Sequence, residues 1–309
     1  MINLTIRHFR YFDALARLGH FGRAAEACSI SQPALSVKIK ELETMLGAPL
    51  VERTARRVRL TALGEDFWER ARKILTDVDE MSDMARLADG PITGKLRLGI
   101  IPTVAPYLLP SILSALSRSF PGLDLMPRES VTKSLVEDLL QSRLDVIVAA
   151  LPISEPALRE LPLFEEEFVL VRAEQDGAQP LPSPENLPEM KLLLLEEGHC
   201  FRDQALSFCN RTTEPNLVME GSSLTTLVQM VSSGLGLTLI PEIAVPLETR
   251  QTRLAVSRFR ENKPKRTIGM VWRKTNPLEQ QLRDIGEIVH EVAQGQVDAL
   301  RNVGPGQAL

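Results

Sequence analysis

Of the three cysteines in the chain, Cys28, Cys200 and Cys209, the last two lie close enough in sequence to act on one another. They lie in the segment His199-Cys200-Phe201-Arg202-Asp203-Gln204-Ala205-Leu206-Ser207-Phe208-Cys209, which can form a helix after Gly198. In a helix their nine-residue offset would part them by about 13 Å along the axis and about 180° around it. A disulfide needs Cα atoms within about 7 Å. A Cys200–Cys209 bond therefore requires the helix to open, which turns a covalent event into a conformational one. Cys200 also stands beside His199 and Arg202 near the expected N-terminus of that helix, where the dipole favours a thiolate. Peroxide converts such a thiolate to a sulfenic acid, and a second cysteine can condense with it. The competing reading is that both are small buried hydrophobes, and spacing alone does not choose between the two. A zinc site built on His199, Cys200 and Cys209 lacks a fourth ligand and the short C-x2-C spacing, so neither a metal nor another cofactor is expected.

The elements that must hold these residues belong to an ordinary globular chain: 309 residues, 44% hydrophobic and 25% charged, long enough for more than one domain. No apolar run approaches the roughly 18 to 20 residues of a membrane span, and Met1 does not open a signal segment, so a cytoplasmic location is expected. Three cysteines are too few for a disulfide scaffold. The net charge of −4 argues against a general polyanion binder, but it is unevenly placed. Residues 1–64 carry ten Lys and Arg against five Asp and Glu, a net of +5, leaving −9 on the remainder. A basic module on an acidic body is the outline of a DNA-binding domain joined to something else.

Local patterns agree. Leu4, Phe9, Phe12, Leu15 and Leu18 have helical spacing, and Phe21 to Cys28 reads as a short second helix with Cys28 in the core. Ser31 is a good N-cap and Pro33 is tolerated in the first turn of the next helix. Helix, tight turn and capped helix is helix-turn-helix spacing. Ser31, Gln32, Pro33, Ser36, Lys38 and Lys40 are the candidates for base edges and phosphates, while Leu35, Ile39, Leu42 and Leu46 supply the packed face. The alternating basic stretch 49–61 predicts a β-wing, with Arg53, Arg56, Arg57 and Arg59 neutralising phosphates. Over residues 62–88 Phe67, Ala71, Ile74, Val78, Met81 and Ala85 recur in four-three spacing, a heptad seam that predicts a dimerisation helix. The partner would then be double-stranded DNA with paired half-sites. Asp89 to Gly94 marks a hinge. From Lys95 onward strand runs alternate with helical patterns, the signature of an α/β body with largely parallel sheets. The strands are expected at 95–101, 123–129, 145–151, 167–172, 191–195, 217–220, 237–240 and 266–273, with helices at 106–119, 133–142 and 278–293.

The run FGRAAEACSISQPALSVKIKELETMLGAPLVERTARRVRLTALG (21–64) closely resembles the winged-helix end of the LysR-type transcriptional regulators, and the resemblance extends over essentially the whole chain. It implies an α/β fold with an all-α winged helix-turn-helix N-terminal domain (1–61), a dimerisation linker helix (62–89) and a regulatory domain (90–309). That domain would have two lobes of periplasmic-binding-protein type, about 92–162 plus 267–300 and about 163–266. GHCFRDQALSFC (198–209) and IPTVAPYLLP (101–110) are similar to the redox motif and early regulatory stretch of the family's peroxide-responsive activators. That likeness makes Cys200 the peroxidatic and Cys209 the resolving cysteine. It places Thr103 and Asp203 as hydrogen-bonding groups for peroxide or water, and His199 and Arg202 as groups favouring charge on sulfur or the leaving oxygen. Phe201 stands where Leu is common in the family. The same likeness implies self-association into a dimer of dimers, RNA polymerase as a partner, hydrogen peroxide as the signal, a cellular thiol as reductant and antioxidant-defence genes as targets, without enzymatic turnover. Two other readings remain open at this point: a regulator binding a small metabolite between the lobes, and a thiol peroxidase carrying an accessory interaction domain.

Overall fold

The computed structural model describes residues 3–53, 58–87, 92–182, 191–208, 220–250, 252–259 and 263–302. The chain divides into two compact units, residues 1–88 and 89–309.

In the first unit α1 (Ile6–Leu18), α2 (Phe21–Ala27) and α3 (Gln32–Leu46) enclose a core of Phe12, Leu15, Ala24, Leu35, Ile39, Leu42 and Leu50. The helix ends are set by side chains. His20 Nδ1 accepts from the amides of Gly22 (3.0 Å) and Arg23 (3.4 Å) to start α2, and Ser31 Oγ accepts from Ala34 N (3.3 Å) to start α3. These bonds satisfy amides that the helices themselves leave without partners. Ser31→Ala is accordingly expected to cost about 1 kcal/mol, seen as a fall of about 4–8 °C in the thermal midpoint of this unit. The wing follows as β1 (Val51–Arg53) paired antiparallel with β2 (Val58–Leu60), Glu52 opposite Arg59. Glu43 in α3 fixes its root by accepting from Leu50 N (2.8 Å) and Val51 N (3.1 Å). The long helix α4 (Ala62–Leu87) then packs its first turns on α1, with Phe67 against Phe9 and Phe12 at ring centroid distances of 5.9 and 5.5 Å.

The second unit runs β3 (Gly94–Ile100), α5 (Ala105–Ser119), β4 (Leu123–Glu129), α6 (Thr132–Leu140), β5 (Val146–Leu151) and β6 (Leu158–Ala173). It continues with β7 (Leu192–Leu195), α7 (Cys200–Phe208), β8 (Glu220–Gly221), α8 (Leu224–Ser232), β9 (Leu237–Pro241) and α9 (Val245–Glu248). The chain then forms β10 (Leu254–Arg258), β11 (Lys265–Arg273) and α10 (Glu279–Asn302). The strands form one sheet in the order β4-β3-β5-β11-β6-β9-β7-β8, with β10 paired to β6. The sheet is mixed where a largely parallel one was expected. β3 pairs parallel with β4 and β5, and β7 with β8 and β9, but β11 and β6 are antiparallel to their neighbours. The antiparallel pair β6–β11 carries the chain out and back. Along β6 the first hydrophobic core (Ile100, Leu108, Val148, Phe164, Met270, Trp272, Leu282) gives way to a second (Phe168, Leu170, Leu193, Phe201, Val228, Ile240) between Phe164 and Phe168. Among the described residues no helix is long and apolar enough to cross a membrane.

Candidate functional site

The first unit presents α3 with Leu35, Ile39 and Leu42 inward and Gln32, Pro33, Lys38 and Lys40 exposed, while Ser36 is half-buried. Its exposed face therefore carries the groups nominated for DNA, with Ser31 spent on the cap. Lys38 is also paired with Glu41 at 2.7 Å across one exposed helical turn, a contact of little energetic weight that a phosphate can replace. Arg59 is exposed on β2, and Arg53 lies in β1. Arg56 and Arg57 lie outside the described residues, as does the side chain of Ala85. On α4 the proposed seam divides. Phe67 and the buried Ala71 belong to the core of this unit, Val78 is half-buried, and Ile74 (37% exposed) and Met81 (68%) face outward. An exposed apolar seam therefore begins at Ile74 and not at Phe67.

In the second unit Cys200 is the first residue of α7; it is a free thiol, half-buried, and packs against the first hydrophobic core. His199 and Thr103 line one cavity of about 300 Å³, together with Tyr107 from α5, Glu129 and Ser130 at the end of β4, and Ser222 to Thr225 at the start of α8. Burial pushes the His199 imidazole below its ordinary pKa, against the smaller opposing pull of Glu196. At neutral pH the ring is thus uncharged and meets a ligand as a hydrogen-bonding group, not as a cation. Thr103 is buried, and its hydroxyl accepts from Arg266 Nη1 at 2.8 Å. Its own proton is therefore free to point toward a ligand.

The other two nominated pocket residues lie elsewhere. Arg202 is buried with Nη1 donating to Leu195 O (3.0 Å) and Glu220 Oε1 (2.6 Å), and Asp203 is exposed to solvent. Neither lines the cavity that Thr103 and His199 share. Cys209 lies outside the described residues. Among the described residues no group of three or more His, Cys, Asp or Glu is disposed to hold a metal ion.

Two polar clusters at the cavity, one buried and one partly exposed, were missed by sequence reasoning. Arg266 on β11 pairs with Glu166 on β6 (Nη2 to Oε1, 2.6 Å), donates to both the hydroxyl and the carbonyl of Thr103, and stacks its guanidinium 5.4 Å from the Phe201 ring centroid. Tyr107 donates to Glu248 Oε1 at 2.7 Å, and Thr225 donates to the same oxygen at 3.0 Å. Burial, then the hydrogen bond and charge of Glu248, push the Tyr107 phenol well above its ordinary pKa, so it remains a donor. Tyr107, which lines the cavity, packs against both hydrophobic cores.

Comparison with known proteins accounts for both units. The family described as "Bacterial regulatory helix-turn-helix protein, lysR family" matches residues 6–65, and "LysR substrate binding domain" matches residues 89–294. A probable hydrogen peroxide-inducible genes activator of Streptomyces viridosporus is 43% identical over 277 residues, 87% of this chain and 88% of the relative. The DNA-binding transcriptional dual regulator OxyR of Escherichia coli is 38% identical over 301 residues, 96% and 98% of the two chains. Among solved structures, full-length OxyR from Pseudomonas aeruginosa, with aspartate in place of a cysteine, is similar at a TM-score of 0.73 and 35% identity, covering 93% of this chain and 98% of the other. A hydrogen peroxide-bound cysteine-to-serine mutant of Corynebacterium glutamicum OxyR gives 0.68 and 35%, covering 99% and 98%. Similarity that runs through both units, at these identities and lengths, makes the chain a member of the LysR family of DNA-binding transcriptional regulators, with OxyR proteins among its relatives.

Proposed function

We propose that this regulator senses hydrogen peroxide through Cys200 and activates antioxidant-defence genes of the catalase and peroxidase type. The Cys200 thiolate attacks one peroxide oxygen and breaks the O–O bond, leaving a sulfenic acid on sulfur and hydroxide that leaves as water once protonated. The Cys209 thiol then displaces the hydroxyl from the sulfenic sulfur, releasing a second water. Two thiols and one hydrogen peroxide become one disulfide and two waters. A cellular thiol returns the pair to the reduced form. The observation that carries this reading is a free, half-buried Cys200 at the start of a helix, next to a His199 that shares a polar cavity with Thr103. In this reading Thr103 and His199 hold the peroxide, while Arg202 secures α7 to β7 and β8. Each protomer reacts once per switching cycle, so the protein is a sensor and not a turnover enzyme.

On the DNA side, α3 and the wing read paired half-sites, α4 joins two protomers from Ile74 onward, and a dimer of dimers in the cytoplasm engages RNA polymerase. Peptide mapping under non-reducing conditions after a brief, low dose of peroxide tests the switch. The expected result is a Cys200–Cys209 linkage and a changed DNA footprint, both absent in Cys200→Ser. A missing linkage in the unmodified chain, or a footprint that Cys200→Ser leaves unaltered, would overturn the proposal. The same cavity, with Ser130, Ser222, Ser223 and Thr225 in its wall, favours as second reading a small polar effector. Calorimetry with organic acids separates the two, since specific binding raises the thermal midpoint through mass action.

A further inference from the structure

A single guanidinium joins the Cys200 helix to the two strands beside it. Arg202 is the third residue of α7 and is 8% exposed; its Nη1 donates at once to Leu195 O, the last residue of β7, and to Glu220 Oε1, the first of β8. β8 (Glu220–Gly221) pairs with β7 through Leu194 opposite Glu220 and Leu195 opposite Gly221. The same edge is tied by Glu196 N donating to Gly221 O (3.1 Å). A charge-assisted contact of 2.6 Å with one partner buried outweighs a neutral hydrogen bond.

α7 covers Cys200–Phe208, and a helix carried on to residue 209 would set a nine-residue offset about 13 Å apart along the axis, beyond the roughly 7 Å between Cα atoms that a disulfide allows, so the bond requires α7 to open. Unwinding that begins at Cys200 displaces the backbone of Arg202, two residues on. The guanidinium cannot then keep both Leu195 O and Glu220. The ion pair thus belongs to the dithiol form. We infer that Glu220 is a positioning residue for the Cys200–Cys209 switch: through Arg202 it holds α7 closed and so favours the dithiol over the disulfide. This inference rests on the peroxide-sensing reading, in which the two thiols lose two electrons to hydrogen peroxide as written above.

The test uses the full chain and titrates the couple in dithiothreitol redox buffers, with thiol trapping and mass readout, in the unmodified protein, Glu220→Asp and Glu220→Gln. Glu220→Gln is expected to move the equilibrium about tenfold toward disulfide, a midpoint lowered by roughly 30 mV, and Glu220→Asp by less. The reduced form of Glu220→Gln should lose thermal stability while the oxidised form does not. In a Cys209→Ser background, where only the sulfenic acid forms, Glu220→Gln should leave the rate of the first step unchanged. A normal couple in the unmodified protein with an unmoved midpoint in Glu220→Gln, or an equal loss of thermal stability in both redox forms, would overturn the inference alone. If the unmodified protein forms no Cys200–Cys209 couple, the peroxide reading falls and takes the inference with it.

Discussion

Arg266→Met should destabilise the regulatory unit by about 3–5 kcal/mol, the usual cost of removing one partner from a buried ion pair. For a unit of this size that is a fall on the order of 10 °C in thermal midpoint. The side chains of Arg266 and Glu166 are each 1% exposed, and the guanidinium donates to the carboxylate through both Nε (2.7 Å) and Nη2 (2.6 Å). Methionine fills a similar volume, so the loss comes from the stranded carboxylate and from Thr103, which forfeits two donors. Burial already pushes the Glu166 carboxyl upward, with Arg266 as the main opposing influence. Without that cation it rises further. A carboxyl whose folded pKa exceeds its unfolded value binds protons better in the native state, so its favourable contribution is full below the unfolded pKa and is lost as pH climbs through the folded pKa. Arg266→Met should therefore be less unstable, relative to the unmodified protein, at pH 5.5 than at pH 8. Urea midpoints at the two pH values measure this. The double variant Glu166→Met with Arg266→Met should recover much of the loss, because two apolar groups need no countercharge. A single variant within about 1 kcal/mol of the parent at pH 8 would show that the pair does not carry the stability assigned to it beneath Thr103.

How far these sites could be read from the chain depends on the distance over which each is built. The α3 start was legible because a cap and its amide are three residues apart: Ser31 and Pro33 announce it without help from the rest of the fold. The wing and the first strand of the second unit were legible for the same reason. The heptad on α4 misled in part, because a dimer seam and an intramolecular packing stripe share the same three-four period, and α1 claims Phe67 first. Arg202 was placed beside the thiol on adjacency in sequence. Two helical residues rotate by about 200°, which carries Arg202 to the opposite side of α7 and into the β7–β8 contact. The Arg266–Glu166 pair spans one hundred residues and leaves no local trace. A signal did exist in the complementarity of two strand segments, Glu165-Glu166-Glu167 against Lys263, Lys265 and Arg266, which pair across β6 and β11. The Tyr107–Glu248 contact had no such pattern, since α9 is a four-residue helix with no periodicity to find.

Gly64→Ala carries the second large effect, and it acts on the DNA-binding unit alone. A Cβ at this position would lie 2.1 Å from the carbonyl oxygen of Leu50 and 3.0 Å from its carbon. Both are backbone atoms at the root of the wing, and no rotamer change relieves the contact. The same junction is stitched by Thr61 N to Leu50 O (3.0 Å), Thr61 Oγ1 to Pro49 O (2.9 Å) and Gly64 N to Thr61 Oγ1 (3.0 Å). To admit the methyl, α4 must lift away from residues 49–51, and these three bonds stretch together. Overpacking ordinarily costs about 1–3 kcal/mol, and with the hydrogen bonds lost the upper end applies, roughly 12–24 °C in the midpoint of a unit of this size. The displacement also shifts the wing root against α3, which Glu43 holds through Leu50 N and Val51 N. Base contacts and phosphate contacts then lose their common register, so DNA affinity should fall even at temperatures where the unit is still folded. Calorimetry should show the first transition lowered and the second unmoved, while a footprint at fixed salt weakens across the whole site. Retained affinity with an unshifted first transition would mean that the wing root yields to the methyl without moving the reading helix.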